Sequence, residues 1–306
     1  MDNTGTVYLI TAISGVAFSC LNVFINSCIL RTHGLHISLV NDKHRQTLLS
    51  LILLFASTCS IFSYLLNYLA VNNVVSNIFT LIVFTIVQYG LVIINHNSFA
   101  RLGAAQSHLS TFRKLYAFWP ILYLIPIITL IPIYLAAIET IPKGLPLNKS
   151  KFNRFYFKPL NIFLVIATEL LASFIDLYLL TCVNQSQPID EETSNSTSNQ
   201  LIDFKSSLAI YKSGNIWLDY IVIWIVLLLD IFIKILIANG IPLLFDSAVT
   251  ITTLALRSKF NLQYGQVLLS HLQCSNPDAS KDPSGVTDMA HNWNTIDPIQ
   301  SGSVQV

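Results

Sequence analysis

Asp230, Lys234 and Asp246 interrupt the most apolar stretch of the chain, Trp217 to Arg257. Asp230 and Lys234 are four residues apart, one helical turn, and share a face. Glu169 and Asp176 stand in a second apolar run, seven apart and again on one face. An ionised group in a bilayer interior is costly, faces the protein rather than lipid, and usually has a partner. These five residues therefore have two readings. They bind a ligand or an ion, or they pair with one another to fix helix register, with Lys234 snorkelling outward.

The elements that must position them follow from the apolar runs. One bilayer-spanning helix needs about 20 apolar residues. Trp217 to Arg257 is long enough for two, and Asn239-Gly240 followed by Pro242 is a turn signal. The expected hairpin has a long arm, Trp217 to Ala238, and a shorter one, Ile241 to Arg257. Lys234 and Asp246 fall about five and six residues from the turn, hence at nearly one depth. An Asp230–Lys234–Asp246 network is expected there. Glu169 would reach the same cavity, and Asp176 would lie deeper.

The rest of the chain suits a membrane. It has 306 residues, 53% hydrophobic and 11% charged, against about a quarter charged in a soluble domain. Net charge is +1, so no bulk field points to nucleic acid or to an acidic substrate. The fold class expected is an all-α polytopic membrane helix bundle of seven transmembrane helices, at about 7–30, 48–71, 75–94, 116–138, 159–183, 217–238 and 241–257. The alternative is six, with 241–257 lying on the surface. Pro120, Pro126 and Pro132 predict a kink in the fourth helix. Residues 184–215 form a polar cytoplasmic loop. Residues 259–306 form a tail with a short interfacial helix over 260–272, then disorder.

Lys and Arg beside the spans mark the cytoplasmic side. The N-terminal segment has none, the first loop has Arg31, Lys43 and Arg45, and the third has Arg101, Arg113 and Lys114. This places the N-terminus outside. The fourth loop, with five basic residues, opposes it, and the early helices usually dominate. An outside N-terminus exposes the sequon at Asn148 to glycosylation. Among five cysteines without metal spacing, Cys182 is the candidate for palmitoylation. Motifs such as HExxH, GxSxG or a phosphate loop are missing, so neither an enzyme nor a cofactor is expected.

Seven spans, an outside N-terminus, basic inner loops, a short helix after the last span and a polar tail resemble the G-protein-coupled receptor architecture. The resemblance is one of topology. The third helix ends NHNSFAR rather than in Asp-Arg-Tyr, and the last span lacks Asn-Pro-x-x-Tyr. Asp230-Ile-Phe-Ile-Lys234 is also similar to the retinal-binding Asp-x-x-x-Lys of microbial rhodopsins. There the lysine is on the final helix, whereas here another apolar run follows.

The receptor resemblance implies an extracellular ligand, a plasma-membrane location and a heterotrimeric G protein as cytoplasmic partner. Arg101, Arg113, Lys114 and Lys205 are the candidates for contacting that partner. The other readings are an ion- or proton-coupled transporter or channel, and a membrane scaffold.

Overall fold

Lipid dictates the architecture before any contact is drawn. Backbone groups away from water must be satisfied within each segment, which leaves helices as the element for apolar runs of this length. The computed structural model describes residues 3–34, 42–69, 73–105, 119–145, 159–185, 215–238 and 246–274. These hold seven long α-helices: α1 (Asn3–His33), α2 (Asp42–Leu69), α3 (Asn73–Ala105), α4 (Trp119–Thr140), α5 (Pro159–Gln185), α6 (Asn215–Ala238) and α7 (Asp246–Cys274). A single 3-10 turn, Ile141–Lys143, follows α4. No strand occurs among the described residues.

The bundle is apolar outside and polar inside. Phe24 of α1 is 67% exposed and Ile225 of α6 is 61% exposed, and each has Leu, Ile or Phe neighbours on the same outer face. Ser19, Asn22 and Asn26 of α1 and Asp230 of α6 are fully buried. In water this distribution would cost about 25 cal/mol for each Å² of apolar surface left exposed. In lipid it costs nothing, and burying the polar groups lets them bond to other helices. Among the described residues, five helices contain segments long and apolar enough to cross a bilayer: Leu9–His33, His44–Leu66, Asn73–Ser98, Leu124–Lys143 and Ile216–Ile237. The protein is thus an all-helical, multi-pass membrane bundle.

The helices pack in chain order, α1 on α2, α2 on α3, α3 on α4, α4 on α5, α5 on α6 and α6 on α7. The last helix also contacts α1, α2, α3 and α5. It is consequently a core rather than a wall. From Asp246 to Tyr264 nearly every residue is buried. Its Ile251, Leu254 and Ala255 join Leu49, Leu53 and Ala56 of α2 and Val83, Val87, Leu91 and Ile94 of α3 in one cluster. Gly90 admits this contact, because a Cβ there would meet Leu254 Cδ1 at 2.9 Å. Gly15 plays the same part between α1 and α2, with the Tyr64 ring 2.7 Å from where a Cβ would sit.

Several sequence expectations change here. The last helix begins at Asp246 rather than Ile241, and Asn239 to Phe245 lie outside the described residues. No break separates a span ending at Arg257 from an interfacial helix. One helix runs from Asp246 to Cys274 through Gly265, because packing on five neighbours outweighs about 1 kcal/mol of glycine propensity. Similarly, α3 continues to Ala105, which places Arg101 on a helix rather than in a loop. The fourth helix, as expected, contains Pro126 and Pro132, and it spans Trp119–Thr140 rather than 116–138.

Candidate functional site

The buried charges gather where α5, α6 and α7 meet. Asp230 and Lys234 face inward from α6, and Lys234 Nζ donates to Asp230 Oδ2 at 2.5 Å. It also donates to both Glu169 oxygens of α5, at 3.2 and 3.3 Å, and to Thr250 Oγ1 of α7 at 3.0 Å. The Thr250 hydroxyl lies 3.1 Å from each Asp230 oxygen and 3.0 Å from the Asp246 carbonyl oxygen. Its one hydrogen serves one of these acceptors at a time. One ammonium thus joins three helices. Glu169, Asp230, Lys234 and Asp246 are all buried.

The expected network is therefore corrected in one member. Lys234 takes Glu169 as its second ion-pair partner, not Asp246. The reason is the helix start. Asp246 opens α7, so the residue level with Lys234 is one turn further on, which is Thr250. The Asp246 carboxylate stays within electrostatic range of Lys234 and Asp230, and the residue meets the network through its backbone carbonyl. Its position in the first turn of α7 sets a negative charge at the positive end of the helix dipole.

Asp176 belongs to a second pair. Arg257 Nη2 donates to Asp176 Oδ2 at 2.9 Å, and both residues are buried. Arg257, eleven residues or about three turns beyond Asp246, returns to the α7 face that Thr250 occupies. It is also within electrostatic range of Glu169. Between the two carboxyls of α5 stands Ser173, 2% exposed, whose hydroxyl has no hydrogen-bond partner among the described residues. Its carbonyl oxygen accepts from Tyr220 of α6.

Other polar side chains tie α7 into the bundle. Asn22 donates to the Ala248 carbonyl at 2.8 Å, Tyr64 and Ser247 share a hydrogen bond at 3.1 Å, and Ser50 and Ser258 share one at 3.3 Å. Lys259 and Tyr264 both reach Asp219 of α6.

Arg257, Thr250 and Ser173 are the functional candidates missing from the sequence reading. Arg257 carried a signal, since Asp176 in an apolar run demands a cation. The hydroxyls carried none, because serine and threonine are common in helices, where most bond to a backbone carbonyl of their own helix.

Arg113, Lys114, Asn148 and Lys205 lie outside the described residues. Cys182 and Arg101 are on helices α5 and α3, where the backbone alone is described. No group of three or more His, Cys, Asp or Glu side chains able to hold a metal occurs among the described residues.

Fold and site together define a polytopic helical membrane protein with an ion-pair network at its centre. No protein-family model, curated protein or solved structure matches the chain.

Proposed function

We propose that the chain is a seven-helix receptor, which transmits an extracellular ligand signal to a cytoplasmic partner. The observation that carries this reading is the single ammonium of Lys234, shared between carboxyl groups of α5 and α6 and the Thr250 hydroxyl of α7. A shift of α7 takes the Thr250 hydroxyl from Lys234 and from Asp230, and the ammonium then redistributes between Asp230 and Glu169, so the junction favours two discrete packings over a continuum. A ligand that prefers one of them moves the population.

The count of crossings is supported by length. At 1.5 Å per residue the 27 residues of α5 and 29 of α7 reach about 40 Å, more than the ~30 Å of a hydrocarbon core. The α5 sequence is as apolar as that of α1 to α3 despite its two carboxyls, and α7 is less apolar because from Asp246 to Tyr264 it is packed among other helices. With the N-terminus outside, ligand enters from the side of the bundle where α6 ends and α7 begins. Arg101, Arg113, Lys114 and Lys205 then face a heterotrimeric G protein in the cytoplasm. Glycosylation at Asn148, palmitoylation at Cys182 and residence in the plasma membrane belong to the same reading.

Nucleotide exchange on a heterotrimeric G protein, measured with the protein in nanodiscs, tests it. Lys234→Met should change the basal exchange rate while the bundle stays folded. An exchange rate that the protein never alters, with or without that substitution, would sink the receptor reading. One observation favours a second reading, proton- or ion-coupled transport: three buried carboxyls surround one ammonium, as on many ion paths. Current or uptake in reconstituted vesicles distinguishes it.

A further inference from the structure

The charge around Lys234 does not balance. Glu169, Asp230 and Asp246 supply three carboxyls and Lys234 one ammonium, all buried. If every group were ionised, the junction would hold two uncompensated negative charges. Burying even one unpaired charge costs several kcal/mol. Arg257 does not close the gap, because Asp176 already takes its charge. The remaining titratable group nearby is Tyr64 of α2, which bonds to Ser247 and can add only negative charge. Among the described residues, none of the other helices packed here brings a further cation to these side chains.

The geometry singles out which carboxyl is neutral. Asp230 has the shortest contact to Lys234 and receives the Thr250 hydroxyl, so it is the ionised partner. Asp246 sits at the first turn of α7, where the helix dipole favours an anion, so it carries the one negative charge left when Glu169 is neutral. Asp176 faces Arg257 at 2.9 Å. Glu169 has the weaker contacts, 3.2 and 3.3 Å, to an ammonium already engaged elsewhere. One turn along the same face of α5, the Ser173 hydroxyl is buried without a partner, within reach of a residue at i−4.

We propose that Glu169 is a proton-binding site: it holds an exchangeable proton in the resting protein, and Ser173 relays that proton along the α5–α7 seam. The step is an acid dissociation. The Glu169 O–H bond breaks, its electron pair stays on the carboxylate, and the proton passes by way of the Ser173 hydroxyl to water. The new carboxylate then competes with Asp230 for Lys234. Protonation is thereby a ligand of the junction that the receptor reading uses as its switch, and the inference rests on that network.

Infrared spectroscopy of the full chain in nanodiscs at neutral pH is the test. A carbonyl stretch of a protonated carboxylic acid is expected. It should shift when the protein is made with isotope-labelled glutamate, stay in place with labelled aspartate, and vanish in Glu169→Gln. Should that variant fail to fold, substitution to Gln of the chain's other three glutamates, Glu139 at the end of α4 and Glu191 and Glu192, assigns the band by elimination, and it should persist in all three. In Ser173→Ala the band should remain while its hydrogen–deuterium exchange slows.

A wild-type spectrum with no such band overturns the proposal, as does a band that moves with aspartate. Unchanged exchange in Ser173→Ala overturns the relay. The two readings fail separately. A protein that shows the glutamate band yet drives no nucleotide exchange loses the receptor reading and keeps this one.

Discussion

Lys234 holds the junction in place, and its removal strands carboxylates that water cannot reach. Lys234→Met should lower stability by about 3–5 kcal/mol, the usual cost of breaking a buried ion pair from one side. Adding Asp230→Asn should restore part of that loss, because it removes one of the stranded charges and the two sites are in contact. Thermal unfolding in nanodiscs compares the three proteins. The same logic applies to Arg257→Met, with Asp176→Asn as its partial rescue. A reader of the sequence could find Glu169, Asp176, Asp230 and Lys234, since each is a charge in an apolar run. What could not be read was the pairing. Whether Lys234 turns to Asp246 or to Glu169 depends on where α7 starts, and a difference of five residues at that start changes the answer.

At the scale of the helix, apolar sequence records contact with lipid rather than burial. The outer faces of α1, α4 and α6 are legible because lipid selects Leu, Ile and Phe. The most deeply placed helix, α7, is the least legible, since Ser247, Thr250, Thr252, Thr253 and Ser258 are buried among other helices. Its sequence therefore looks like a marginal span that ends at Arg257. Two close approaches make measurable predictions. Gly15→Ala drives a methyl group into the Tyr64 ring, which the bond to Ser247 holds in place. A destabilisation of about 1–3 kcal/mol, typical of overpacking, should appear in thermal unfolding. By contrast Ile225→Ala, on the outer face of α6, should leave unfolding within about 0.5 kcal/mol of the parent.

For the whole molecule, the decisive quantity is the number of crossings. Seven crossings put the termini on opposite sides of the bilayer. Protease protection of tags at both ends in sealed vesicles should therefore digest one tag and spare the other, and digestion of both or neither would leave an even number. The central position of α7 bears on how such a bundle is made. It follows the other six described helices in the chain, it carries Asp246 and Arg257, and a charge at the centre of a lone helix raises the cost of inserting it by about 2.5–3.5 kcal/mol. The six earlier helices cannot reach their final packing until it arrives, and it is a poor membrane segment until they receive it. Biogenesis then resembles closing a ring around a late keystone. A nascent chain stopped before Asp246 would present unpaired polar groups on α1, α2, α5 and α6, the state that quality control in a membrane is built to detect.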